Sequence, residues 1–377
     1  MKRQSWLILL IVTVVVAAAA FWTVTDRAAR LAEQTYGDPL FPDLQGDRVN
    51  AIAELRFDTG HAKWSLKRDD DGRWVMPERG GYPADPDRVK QAVVAIASAK
   101  IVAPKTADPA QHHRLDLNPP EAGLKSEDDV KTVAVTVLDG SGKVLAEMLR
   151  GRTKALPTNR DPGQAYVRRA DEDRTWLVES RLDIRKDPTA WLDKTLIKVR
   201  KEEFRAVTVA HPDGAVLSLK RNRFGTLNIE GLDESMAEDD IRLTAVQRAL
   251  EFLPFADVKP ASEVDMTGAT EMTIEADDGT TVVIRSVPAG FEVDDDPGYW
   301  VTFEIAHDPT SVTAEEDLPV PGPNDEGKKR EVDVEAGAER AATGAERTRG
   351  WAYLFAEFTA QNFRRTLDEV SDKKEGS

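Results

Sequence analysis

The sequence predicts an α+β protein, an N-terminal transmembrane helix followed by two duplicated modules of antiparallel hairpins packed with helices. Three observations predict it. The tetrapeptide Ser65-Leu66-Lys67-Arg68 returns as Ser218-Leu219-Lys220-Arg221, an offset of 153 from residue 65 to residue 218. Gly72 falls on Gly225 and Trp74 on Leu227 at the same offset, so a whole strand–turn–strand pattern repeats. Ile52–Phe57 then falls on Arg205–Ala210, with its apolar phase only roughly kept. Second, short alternating runs bounded by Asp and Gly recur along the chain, as half-buried hairpins require. Third, Trp6 to Val24 carries no charge. These observations divide the chain into a membrane anchor (1–25), a juxtamembrane linker (26–48), a first α+β repeat (49–200) and a second (201–306). An acidic disordered insert (307–349) and a C-terminal helix completing the second repeat (350–371) follow.

Composition excludes several function classes. The 377 residues are 41% hydrophobic, enough for real cores and, as a prior, about two domains. With 67 Asp and Glu against 51 Lys and Arg the net charge is −16, which argues against nucleic acid as a partner. The absence of Cys removes disulfides, thiolate zinc sites and Cys nucleophiles, and five His limit metal and acid–base chemistry.

The uncharged run matches the roughly 20 residues a helix needs to cross hydrocarbon, and Trp6 and Trp22 stand near its ends. Lys2 and Arg3 hold the N-terminus in the cytoplasm and send the body out, as a single-pass membrane protein. The competing reading is a cleaved signal peptide, with Ala17–Ala20 as its small-residue site. The apolar run exceeds the roughly 7–15 residues of such a segment, and either reading exports the body.

In the linker, Pro39 and Pro42 stop any helix arriving from the membrane. Val49–Phe57 alternates as a strand, and Asp58-Thr59-Gly60 turns it. Ala62–Lys67 returns with Trp64 and Leu66 on one face, and Arg73–Met76 is a third strand. Asp69-Asp70-Asp71-Gly72 is a turn, because it lacks the alternating ligands and distal Glu of a calcium loop. Asp85 as N-cap and Pro86 at the first helical position start a helix carrying Val89, Val93, Ile96 and Ala97. His112-His113 sits in a Pro-flanked polar stretch, read as a solvated loop. Thr132–Leu138 and Val144–Leu149 form a hairpin around Asp139-Gly140-Ser141-Gly142, and Ala165–Arg168 and Thr175–Val178 another. Asp187-Pro188 starts a short helix whose Trp191 reads as core.

The second repeat follows suit. Val207, Val209, Val216, Leu217 and Leu219 make its hairpin, and Asp239-Asp240 precedes a helix with Leu243, Val246, Leu250 and Leu253. Val258-Lys259-Pro260 echoes Val102-Ala103-Pro104 at an offset of 156 (102 to 258), and Gly279 echoes Gly142 at 137. Met272–Ala276, Thr281–Ile284 and Tyr299–Ile305 are the strands around Asp277-Asp278-Gly279 and beyond. From His307 to Arg349 the acidic, Pro-, Gly- and Ala-rich chain lacks the apolar area to offset its ordering. Trp351, Leu354, Phe355 and Phe358 restore a helical stripe that takes the place of the Trp191 helix.

No nucleophile elbow, phosphate loop, dinucleotide fingerprint or zincin motif is present. Ser65 and Ser218 lie mid-strand without a candidate base nearby in sequence. No residue is therefore singled out as catalytic, cofactor-binding or metal-ligating.

Several features together resemble the DUF4340 family of bacterial envelope proteins. They are the anchor, Pro39-Leu40-Phe41-Pro42-Asp43-Leu44 before Val49-Asn50, Trp74 after the hairpin, Tyr82-Pro83-Ala84-Asp85, Tyr166-Val167-Arg168 and Trp191-Leu192-Asp193-Lys194. The likeness runs over most of 38–305. It implies no catalytic residues. It does imply a transport or envelope-assembly partner, and with it a non-enzymatic accessory role in the inner membrane, beside an ABC transporter permease or its periplasmic auxiliary subunit, of the gliding-motility type. The rivals are an envelope glycan or peptide hydrolase, which needs two carboxylates in a cleft, and a passive periplasmic ligand-binding scaffold.

Overall fold

Apolar alternation builds two large antiparallel sheets, and a further two-stranded one, among the described residues. In the computed structural model, which describes residues 35–154, 163–319 and 332–373 together with Thr13, the chain divides into Met1–Asp193 and Lys194–Ser377. The boundary expected at 200 thus falls seven residues earlier, at 193. The expected anchor (except Thr13) and residues 26–34 lie outside the described residues. No helix among the described residues is long and apolar enough to cross a membrane.

The first unit holds β1 (Ile52–Asp58), β2 (Lys63–Arg68), β3 (Trp74–Met76), β4 (Tyr82–Pro83), helix α1 (Pro86–Ala97), β5 (Lys100–Pro104), β6 (Val133–Asp139), β7 (Val144–Lys154), β8 (Gln164–Arg169) and β9 (Thr175–Glu179). Among the described residues they form one sheet in the order β4-β3-β2-β1-β6-β7-β8-β9-β5. Leu55, Phe57, Trp64 and Leu66 bury one face of the first hairpin. Phe57 stacks on Trp64 at 5.1 Å and meets Trp191 at 4.9 Å, so Trp191 is core as its sequence context predicts.

Asp85 caps α1, accepting from the backbone N–H of Asp87 and Arg88 at 3.0 and 3.1 Å. Replacing Asp85 by Ala leaves those donors without their acceptor and is expected to cost about 1 kcal/mol. Hydrogen-exchange protection of peptides from α1 measures it, and unchanged protection would rule the cap out as a source of stability.

Two readings of this unit need correction. The described part of the linker is not a linker: Leu40, Phe41 and Leu44 are buried. Gly37 and Leu40 donate N–H bonds to the carbonyls of Ile101 and Ala99, and Ile101 donates to Asp38. The segment around Pro39 is extended and covers the open edge of β5, and the helix expected to arrive from the membrane lies outside the described residues. His112 is not solvated either. It lies in a 3-10 turn, Pro109–Leu115, buried with Nε2 2.9 Å from the Asp173 carbonyl, whereas His113 is exposed.

The second unit holds β10 (Phe204–Ala210), β11 (Val216–Arg221), β12 (Leu227–Ile229), β13 (Met236–Glu238), α2 (Asp240–Gln247), β14 (Asp257–Pro260), β15 (Thr270–Ala276), β16 (Thr280–Val293), β17 (Asp296–His307), α3 (Val334–Thr348), β18 (Trp351–Ala356), α4 (Glu357–Ala360) and β19 (Ser371–Lys373). Its larger sheet runs β12-β11-β10-β15-β16-β17-β18-β14, the order of the first sheet from β3 to β5, strand for strand. The residues agree with the order. Pro104 pairs with Trp176 and Pro260 with Trp351, at the same edge of each sheet. Gly142 and Gly279 turn equivalent hairpins with φ of 84° and 83°. Where β3 pairs with β4, the second unit substitutes a side chain: the Ile229 N–H of β12 donates to Glu238 at 2.6 Å, and β13 pairs with β19 instead.

The register resolves the uneven phase of the first strand. Leu55 pairs with Leu66 and Val207 with Leu219, so the second strand of the hairpin keeps the offset of 153 but the first keeps one fewer. Leu55 thus answers to Val207 and Phe57 to Val209, all buried. The 211–215 turn is one residue longer than 59–62. A one-residue slip sends every side chain to the opposite face, which is why the ungapped alignment blurs the alternation.

Three further expectations are overturned. Residues 334–348 are the helix α3, not disorder, and 309–311 and 315–317 are 3-10 turns; 320–331 lie outside the described residues. Residues 350–371 are not one helix, because Trp351–Ala356 is a strand between β17 and β14. It answers to β9, not to the Trp191 segment. Its near-continuous apolar run serves a strand covered on both faces as well as a helical stripe, and here the sheet claims it. Finally, α2 ends at Gln247, leaving the buried Leu250 and Leu253 on an irregular segment.

Candidate functional site

The site is assembled within the second unit around the Asp277-Asp278-Gly279 turn. A hairpin turn normally points its carboxylates at water. Here both are buried. Arg221, at the end of β11, grips both oxygens of Asp277 and also donates to the Phe204 carbonyl at 3.2 Å. Thr313 donates its hydroxyl to Asp277 at 2.8 Å. His307 Nε2 lies 2.8 Å from the Asp278 carbonyl. Arg340 of α3 bridges Asp278 and Glu203, the latter at 2.8 Å. Beside the turn, the Asp308 carboxyl is held below the usual carboxylate range, first by the Thr310 hydroxyl, then by the Thr310 N–H and the charge of His307.

These pairs explain why α3 docks. Asp333 caps it, accepting from Ala336 N–H at 2.9 Å. Gly337, Ala341, Gly344 and Thr348 form its buried stripe. A side chain at Gly337 would strike the Asp278 carboxylate, and a Cβ at Gly344 would lie 3.0 Å from Ile305. The composition that reads as disorder is the composition a helix needs to lie flat on a sheet, with arginine pairing supplying what a small apolar stripe lacks.

Between α3, residues 194–198 and residues 250–255 lies a groove of about 730 Å³. Buried Leu196, Ile197, Leu250, Leu253 and Phe255 floor it. Lys194 crosses the Phe255 ring at 3.9 Å and donates to the Phe255 carbonyl at 2.7 Å. Exposed Lys198 and Arg347 line it as well. No carboxylate among the described residues pairs with Lys198 or with the Arg347 guanidinium. Two acids are present: Glu251 is tied to Arg248 at 2.5 Å, and Glu339 is exposed.

The residues weighed in the sequence fall elsewhere. Ser65 and Ser218 occupy equivalent strand positions and make the same contact, donating to Glu78 at 2.9 Å and Glu230 at 2.7 Å. Each glutamate lies just beyond the neighbouring strand, Glu78 in the 3-10 turn after β3 and Glu230 directly after β12. Asp69 accepts from the Arg73 N–H at 2.8 Å and closes its turn. Among the described residues no group of three or more His, Asp or Glu stands ready to hold a metal ion. In the first unit, burial lowers the affinity of the Arg150 guanidinium for its proton, partly offset by Asp183, and carbonyls of Leu182 and Ile184 accept from it. Sequence reasoning missed the groove entirely. The one legible signal was the apolar Leu250 and Leu253 continuing beyond the helix.

Comparison with known proteins identifies one family. The model of the domain of unknown function DUF4340 matches residues 74–283, from β3 into β16, more than half of the chain. No curated protein and no solved structure matches it. On the extent of that match, the chain belongs to the DUF4340 family.

Proposed function

We propose that this chain is a non-enzymatic accessory protein, anchored in the inner membrane by its N-terminal segment, with its body in the periplasm. Its architecture in this reading is a transmembrane helix followed by two copies of one sheet-and-helix module. It works by binding and partners an ABC-type transport system, through the permease or its periplasmic auxiliary subunit. The common strand order of the two sheets supports the duplication. The uncharged Trp6–Val24 behind Lys2 and Arg3 supports the anchor and its orientation.

The groove of the second unit is the observation that carries binding as the activity. It combines a buried apolar floor with cations that have no carboxylate partner among the described residues, the pattern of a recognition site. Gentle crosslinking of the full chain in its native membranes, followed by purification, tests the reading. A permease or its periplasmic subunit is expected to come down with it. Recovery of the chain alone, at crosslinking yields that capture a known complex in the same membranes, sinks the transport partnership.

A further inference from the structure

We propose that the groove between α3 and residues 194–198 and 250–255 takes an anionic amphiphile with a single apolar tail, a long-chain carboxylate. The inference rests on reading the groove as a binding site, and adds what it binds.

Charge and polarity select this ligand class. The chain as a whole carries a net charge of −16, so an anion is repelled by most of it. The groove is a local exception. Lys194, Lys198 and Arg347 are exposed along it, and Lys198 and the Arg347 guanidinium have no carboxylate partner among the described residues. Arg340 also lines it but is committed to Glu203 and Asp278. Of the two acids, Glu251 is neutralised by Arg248, leaving Glu339 against Lys198 and Arg347.

The floor speaks for the tail. Leu196, Ile197, Leu250, Leu253 and Phe255 offer hydrocarbon, and Gly344 and Thr343 keep the α3 wall low. The volume of about 730 Å³ lies in the range of small-ligand pockets, which run from about 300 to 1,000 Å³. A wholly polar anion leaves that floor bare, and a neutral hydrocarbon leaves the cations unanswered. A carboxylate on an alkyl chain satisfies both.

The test uses the full chain in phosphatidylcholine nanodiscs and a diazirine-bearing dodecanoate photolabel, with the labelled peptides mapped by mass spectrometry. Label is expected on peptides containing 194–198, 250–255 and 334–348, displaced by dodecanoate and far less by dodecanol. Between octanoate and dodecanoate, each added methylene is expected to tighten displacement by up to about fourfold. The double variant Lys198→Glu with Arg347→Glu should weaken labelling at least tenfold, and Thr343→Trp, which fills the groove from an exposed position, should do the same. Circular dichroism of each variant checks that it is folded.

Equal labelling of the parent and both folded variants overturns the proposal, as does label confined to other peptides. Displacement by an acidic peptide but not by dodecanoate overturns it in favour of a protein segment. The outcome is separable from the transport reading. Groove labelling without a captured permease removes the partnership and keeps the ligand, and a captured permease without groove labelling does the reverse.

Discussion

Replacing Arg221 by Met is expected to destabilise the second unit by about 3–5 kcal/mol, because it strands the buried Asp277 carboxylate without its countercharge. Both side chains of the pair are nearly inaccessible, at 4% and 5% exposure. A buried charge that loses its partner bears the desolvation cost alone, whereas removing both partners together does not. The double variant Arg221→Met with Asp277→Leu should therefore recover most of the loss. Hydrogen exchange of peptides from β10 and β15 reads this unit by itself, which a single global transition of a two-unit chain does not. The chain also supplies its own control. Arg68 stands at the position that answers to Arg221, yet it is exposed and lies over the Trp74 ring at 5.2 Å. Arg68→Met should cost only about 0.5–1 kcal/mol. Equal effects at the two arginines would show that burial of the Asp277 pair does not decide the stability of this unit.

Trp191→Ala is expected to cost the first unit about 3–5 kcal/mol, the range for truncating a large aromatic in a close-packed core. Trp191 is fully buried, and its ring meets Phe57, which stacks in turn on Trp64. Its indole N–H donates to the Arg185 carbonyl at 3.3 Å, so Ala leaves both a cavity and an unpaired acceptor. Trp191→Phe keeps most of the volume and should cost clearly less. Exchange protection of β1 and β2 peptides measures both. A loss under about 1 kcal/mol for the Ala variant would mean that the segment before residue 193 packs against the hairpin without stabilising it.

The two cases differ in how far the sequence reveals them. Trp191 is legible as core because a Trp after an Asp-Pro helix start, among apolar neighbours, has an obvious place to go. Arg221 is not. It belongs to the most visible repeat in the chain, Ser-Leu-Lys-Arg, and the repeat invites the same role for both arginines. Burial separates them, because Asp277 is held between Arg221, 56 positions before it, and Thr313, 36 positions after it. The same reason hides the groove, whose walls come from three segments with more than 130 residues between the first and the last.

From the sequence alone one could read the repeated hairpins, the Asp85 and Asp187 caps, the helix start at Asp239-Asp240, the turns at Gly72, Gly142 and Gly279, and the family. Each is written in residues adjacent along the chain, where a side chain accepts from a backbone two or three positions away or a glycine takes a positive φ. Tertiary structure alone decided that Trp351–Ala356 is a strand, that the Ala- and Gly-rich stretch before it is a docked helix, and that the first strand of the second repeat is shifted by one residue. In each of these the local pattern allows two conformations. The choice falls to partners distant in sequence: the free edges of β17 and β14, the buried carboxylates of one turn, and the longer loop that restores the apolar face.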